Sequence, residues 1–376
     1  VNPALPSEAY AAALSGFPAM NLSRLSALLR GHEPEHAYGI AVGNERPSGL
    51  IARVLGEGDL LVHWRRHAAE HPPAEMWERC ARLGVQVLAF GCAGYPSVLT
   101  VDRQPPPVLF VLGDGSQFAE GRRVGMVGTR NATAAGRDAS QRIATGLASA
   151  GVHVVSGLAR GVDGWAHRGV IAAGGPGRAI AVVASGLDVV YPQEHRSLWR
   201  QVAETGLLIS ESPPGTQPEA FRFPLRNRII AALSEILVVV ESRERGGSLI
   251  TVTEASERGI PLMAVPGGLN SRASVGTNNL LREGAGAVVD ADDVLLALSL
   301  EHRRACPVIA EQRPRPRRTD IAVYEVCAEE PRTLDGICVM AGLTLVEAAM
   351  ALARLEQMGW VTQADGWFES MGSPLR

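Results

Sequence analysis

Lysine is absent from the 376 residues, so all 36 basic side chains are arginines. Without lysine there is no Schiff-base amine and no Walker A phosphate clamp, which excludes lysine-dependent covalent catalysis and P-loop phosphoryl transfer. Any phosphate must be held by planar guanidinium groups or backbone amides. Cysteine is scarce: Cys80, Cys92, Cys306, Cys327 and Cys338 form no C-x-x-C pair and have no histidine at metal spacing. That is the pattern of buried thiols in a reducing compartment. No apolar run approaches the length of a membrane span, and the first residues carry neither the basic nor the apolar part of a signal peptide. We therefore expect a soluble, cytoplasmic protein with no membrane partner. A surplus of charge is missing too. The formal net charge of −3 exerts no overall pull on polyanions, so only a local cluster of arginines can bind one.

What the chain does have is apolar residues, 46% of the total, enough to bury a large core spread over two or three domains. Residues 303–318, "RRACPVIAEQRPRPRR", alternate proline with arginine and read as a linker. Beyond it, 319–376 predict a winged helix: an amphipathic start, helices led by Thr333 and Thr344, and a hairpin turning at Asp365-Gly366. This module carries nine acids against three arginines, the wrong sign for reading phosphates, so we expect it to contact protein. Residues 1–80 mix short helical patterns such as "SRLSALLRG" and "AEMWERCARLG" with Gly and Pro breaks and predict a small helical domain. Residues 81–302 alternate strands with helices. Six continuous apolar runs, "RVGMVG", "VHVVSG", "AIAVVASG", "GLLISE", "EILVVVES" and "PLMAVPG", predict a parallel sheet covered on both faces, a Rossmann-like doubly wound α/β fold.

Each run ends in small or polar residues, and in a parallel sheet those ends share the edge where open α/β proteins bind ligands. Tight turn geometry alone accounts for glycine and serine in any one such loop. Six together, with arginines added, predict a ligand rim. Its candidate residues are Gly128, Thr129 and Arg130; Ser156, Gly157, Arg160 and Gly161; Arg243, Arg245, Gly246, Gly247 and Ser248; and the decapeptide "FRFPLRNRII" (221–230), with Arg222, Phe223, Arg226, Asn227 and Arg228. Amides at helix N-termini offer seats for phosphate beside them. The first loop reads G-x-x-G-T-R where a dinucleotide site needs G-x-G-x-x-G, and no acid stands at the end of the second strand, so no nicotinamide cofactor is expected. Amides and arginines suit the phosphates of a chain, and Phe221 or Phe223 can stack an exposed base. Arg228 has a second reading, as a brace tied to a carboxylate such as Glu211 or Glu241.

Four stretches, "VGTRNAT", "SGLARGVDGWAH", "AIAVVASGLDVVYPQEH" and "FPLRNRIIAALSEILVVVE…GGSLIT…AVPG", together resemble the DNA-processing protein A family (DprA, also called Smf) from Tyr95-Pro96 to Asp290. The resemblance implies a homodimer, formed through the Rossmann-like domain, that binds single-stranded DNA and hands transforming DNA to a RecA-type recombinase. It also implies an N-terminal SAM-like or helix-hairpin-helix domain and a C-terminal winged helix. Carried over by motif, Arg130 is the family's G-[ST]-R arginine, Gly128, Gly157 and Gly161 its loop glycines, and Phe223 the aromatic ahead of Pro-x-Arg-Asn-Arg, which Arg226 and Arg228 complete. Relatives often carry lysine three positions before that aromatic. Here the place holds Ala220, for which Arg222 is expected to compensate.

The competing class is a nucleotide-binding, phosphoribohydrolase-like enzyme on the same glycine-rich rim. Its loop pieces lie scattered through "PGGLNSRASVGTNNLL", and Leu280 stands where a catalytic acid is needed, which leucine cannot replace. Asp163, His167, Asp188 and His195 suggest no nucleophile or paired carboxylates. We expect a non-enzymatic binder with no cofactor or metal.

Overall fold

The computed structural model describes residues 5–55, 59–92, 94–115, 121–304, 314, 316–364 and 366–370. It divides into two compact units, one reaching Glu301 and one beginning at His302.

The first unit opens with helices α1 (Ser7–Ser15), α2 (Leu22–Leu29), α3 (Pro34–Val42), α4 (Gly49–Leu55), α5 (Leu60–Glu70) and α6 (Pro73–Leu83). Their ends follow from local chemistry: the Asn21 side chain caps α2, Pro34 and Pro73 start α3 and α6, and Gly43 and Gly84 close those two helices. Strand β1 (Gln86–Ala89), helix α7 (Ser97–Thr100) and strand β2 (Val108–Gly113) come next. Strands and helices then alternate: β3 (Arg123–Val127), α8 (Ala134–Ser149), β4 (His153–Ser156), α9 (Val162–Ala173), β5 (Ala179–Val182), α10 (Arg196–Thr205), β6 (Leu207–Ser210) and α11 (Arg222–Leu233). The series continues with β7 (Ile236–Val239), α12 (Ser248–Ser256), β8 (Leu262–Ala264), α13 (Val275–Arg282), β9 (Gly286–Ala287) and α14 (Ala291–Arg304).

The strands form one sheet in the order β1-β2-β6-β5-β4-β3-β7-β8-β9. All six apolar runs of the sequence are strands, β3 to β8, and every pairing among them is parallel, so their carboxyl ends do share one edge. At the β6 side, β2 and β1 add antiparallel strands. Alternate residues enter two cores. Val124, Met126, Val154 and Ala181 face α8, α9 and α10, while Val127, Val155, Ile180 and Val182 face α11 and α12. The N-terminal helices lie in the first of these cores, where Leu14, Phe17, Leu28 and Trp64 join the cluster that holds Val87 and Phe110.

The second unit contains α15 (Arg318–Glu329), β10 (Arg332–Thr333), α16 (Leu334–Ala341), α17 (Leu345–Gln357), β11 (Val361–Ala364) and β12 (Trp367–Ser370), with the strands ordered β10-β12-β11. Thr333 and Thr344 are side-chain N-caps, the latter in a reciprocal capping box with Glu347. Buried Asp320 accepts both Nε and Nη2 of Arg354, at 2.9 and 2.6 Å, and the Tyr324 and Trp360 rings pack edge to face. Asp365 and most of the Arg/Pro segment lie outside the described residues, as does Cys306. Cys80, Cys92, Cys327 and Cys338 are free thiols. No single helix among the described residues is long and apolar enough to cross a membrane.

Candidate nucleic-acid interface

At the carboxyl edge, the loops after β3, β4 and β5 and the first turn of α11 enclose a cavity of about 180 Å³. That is smaller than the ~300–1,000 Å³ typical of sites that enclose a whole small ligand. Arg130 and Arg160 stand exposed at its margin. The Arg130 guanidinium lies over the Phe223 ring, 4.8 Å from its centre, and the Tyr191 ring sits 5.3 Å from Phe223 at 46°. An arginine stacked on an aromatic face is held by the ring quadrupole and keeps its N–H groups directed outward. Arg160 is paired with Glu194 through two N–H groups. As an exposed pair it is worth little.

The floor is made by Arg226, which is only 6% exposed. Its Nη1 donates to the carbonyls of Gly157, at 2.8 Å, and Val182, tying the β4 loop to the end of β5. Gly157 must lack a side chain, because a Cβ there would meet that guanidinium. Asp163 sits beside it and accepts the Gly157 N–H at 3.2 Å. Burial pushes Arg226 down to about 10, opposed by the Asp163 charge, and burial raises Asp163 against the pull of Arg226. Desolvation outweighs attraction for both charges, as expected of ionisable groups taken out of water. Leu158, in the same loop, is held at φ +51°, and its carbonyl meets Nδ1 of buried His195 at 3.0 Å. A left-handed leucine stores strain that the surrounding contacts must maintain. Gly161, at φ +73°, brings the β4 loop against the Thr129 carbonyl, where no Cβ fits.

The N-terminus of α8, the position of a phosphate in a dinucleotide fold, is already filled. The Glu241 carboxylate, arriving from the end of β7, accepts the Thr133 N–H at 2.8 Å and the Thr133 hydroxyl at 2.6 Å. A Cβ on Gly136 would strike the same carboxylate. The amides at this terminus and at Gly157 are therefore taken by the protein itself, Thr133 by Glu241, Gly136 by the Thr133 hydroxyl and Gly157 by Asp163, and the guanidinium groups remain. Glu241→Ala should cost ~1–3 kcal/mol by leaving those donors unpaired, and sulfate should then raise the melting temperature of the variant more than that of the wild type. Equal sulfate responses would rule out an internal anion in that seat.

The cavity thus gathers Arg130, Gly157, Arg160, Phe223 and Arg226. Gly128, Thr129, Gly161 and Asn227 shape its surroundings: the Thr129 amide donates to the Glu241 carbonyl and the Asn227 side chain accepts from Arg226 Nε. Other residues expected on the rim lie outside the lining of this cavity. Ser156 is fully buried and donates to the Met126 carbonyl. Arg228 is 3% exposed, bonded to Glu211 and, at 2.6 Å, to the Gln104 carbonyl, so it braces α11 against the end of β6. Burial raises the Glu211 carboxyl, with Arg228 opposing it. Arg243, Arg245, Gly246 and Gly247 lie on the loop between β7 and α12, outside the cavity lining, with Ser248 buried against Ser242. Arg222 faces a different cavity. Sequence reasoning did not single out Tyr191 and Glu194, although both stand in the "VVYPQEH" stretch. Leu280 is packed in the second core.

Residues 86–299 match the family described as DNA recombination-mediator protein A. The DNA processing protein DprA of Bacillus subtilis is 40% identical over 211 residues, covering 56% of this chain and 70% of that protein. Among solved structures, DNA processing protein A of Streptococcus pneumoniae superposes with a TM-score of 0.64 at 30% identity, over 78% of this chain and 98% of the other. DNA processing protein A of Helicobacter pylori, described for its single-stranded DNA binding mode, superposes with a TM-score of 0.51 at 27% identity, over 58% and 96%.

Proposed function

Because the chain belongs to the DNA recombination-mediator protein A (DprA/Smf) family, we propose that it binds single-stranded DNA during natural transformation, protecting the strand and loading a RecA-type recombinase. The observation that carries this reading is the stack of Arg130 on Phe223, with Tyr191 alongside, over a cavity of single-base size. A base enters against the aromatic pair while Arg130 and Arg160 take the flanking phosphates. Arg226 acts from below by fixing the β4 loop. No chemistry on the DNA is involved: the protein works in the cytoplasm as a homodimer that places two strands side by side, which also promotes annealing. The acidic second unit, a winged helix by its element order, serves protein contact.

Equilibrium binding to a labelled 20-mer, its duplex and a mononucleotide, across salt, tests the proposal. The single strand should be preferred, and Arg130→Ala should weaken it about 10- to 100-fold, as for loss of a charged hydrogen bond. The salt slope should fall by about 0.7 per phosphate contact removed. A mononucleotide bound as tightly as the 20-mer would overturn the reading in favour of a nucleotide pocket, and an unaffected Arg130→Ala would remove the cavity from the interface.

A further inference from the structure

Phe221 and Phe223 stand two residues apart where α11 begins, and a helix turns ~200° over two residues, so their rings diverge. Phe223 enters the cavity described above. Phe221 enters a second one, of about 180 Å³, between α11 and the start of α2. Phe221 is 58% exposed and Leu225, one turn along on the same side, is 54% exposed. Met20, Leu22 and Leu25 form the facing wall. The Arg222 guanidinium lies 5.0 Å from the centre of the Phe221 ring, repeating the arrangement of Arg130 on Phe223, and its only carboxylate partner among the described residues is exposed Glu219 at 3.0 Å.

From this repetition we infer that the α2–α11 groove is a second base subsite for the same strand. Val183, Ala184 and Arg226 line both cavities, so the two are contiguous around the first turn of α11. A strand with one base on Phe223 passes over that turn and places a neighbouring base between Phe221, Leu225 and the α2 side chains, with Arg222 leaving Glu219 for the phosphate. A planar base fits such an aromatic and aliphatic slot of about 180 Å³. This inference rests on the single-strand reading, and it gives the N-terminal helices a direct part in binding.

The test is fluorescence polarisation of a labelled 20-mer single strand with the full chain, comparing Phe221→Ala, Phe223→Ala, the double variant and Phe221→Tyr. Phe221→Ala should weaken binding roughly 5- to 100-fold, the range for losing one stacked base, with the salt slope unchanged. Phe221→Tyr should bind as the wild type, and the double variant should be weaker than either single. Wild-type affinity in Phe221→Ala with loss in Phe223→Ala would overturn the second subsite and leave the first intact. Equal loss in Phe221→Ala and Phe221→Tyr would overturn stacking as its cause. If neither alanine variant weakens binding, the single-strand reading of this edge fails as well.

Discussion

Arg226→Met is expected to destabilise the first unit by ~2–6 kcal/mol, the cost of leaving two buried carbonyl acceptors without their donor. Methionine fills part of the volume but leaves the carbonyls of Gly157 and Val182 without their donor and removes the nearby positive charge that favours the buried Asp163 carboxylate. The Arg226 and Asp163 shifts show that burial already opposes both charges, so removing one makes the other more costly. Asp163→Asn added to Arg226→Met should therefore recover part of the loss, since a neutral amide needs no counter-charge. The readout is the urea midpoint followed by hydrogen exchange in β4 and β5. A midpoint unchanged in the single variant would mean that Arg226 is dispensable to the floor. Full additivity in the double variant would mean that it does not act through Asp163.

Acid should loosen the same region through His167. This residue is fully buried on α9, and burial, with neighbouring His195 adding to it and the Ser156 backbone opposing it, pushes its pKa from the ordinary 6.5 down to about 3. Between those values the unfolded chain binds a proton that the folded protein refuses, so stability is complete above pH 6.5 and falls as pH drops toward 3. The loss attributable to this one group is about 2 kcal/mol from pH 7 to 5 and about 4 kcal/mol by pH 3. His195, also held low by burial, adds in the same direction. Raised Asp163 and Glu211 act oppositely, since the folded state binds their protons more readily. The difference between wild type and His167→Leu isolates this contribution: the variant should lose about 2 kcal/mol less between pH 7 and 5. Parallel stability curves would show that His167 is not refused its proton.

The parallel sheet was legible because strands buried on both faces read as continuous apolar runs, and all six became β3 to β8. The arginines were legible as a group but not one by one. In α11 residues 229–233 are all buried, and Arg226 and Arg228 are buried with them. No polar face marks which guanidinium groups are interior, and only partners distant in sequence, at Gly157, Val182, Gln104 and Glu211, decide it. The Glu241 carboxylate at the head of α8 was equally hidden, since its acceptance of Thr133 joins residues 108 positions apart. Tyr191 lies in a loop without periodicity, where an aromatic has no pattern to betray it.

That carboxylate at the head of α8 bears on how a strand binder works amid a crowd of soluble nucleotides. A vacant helix terminus of this fold would bind the phosphate tail of any of them and leave the neighbouring edge occupied. With Glu241 lodged there, a monomer gains no anchor beyond what one link of a polymer gains, and it lacks the further links. Discrimination between polymer and monomer then comes from closing a seat against small competitors, so that only a ligand able to touch several places at once is retained.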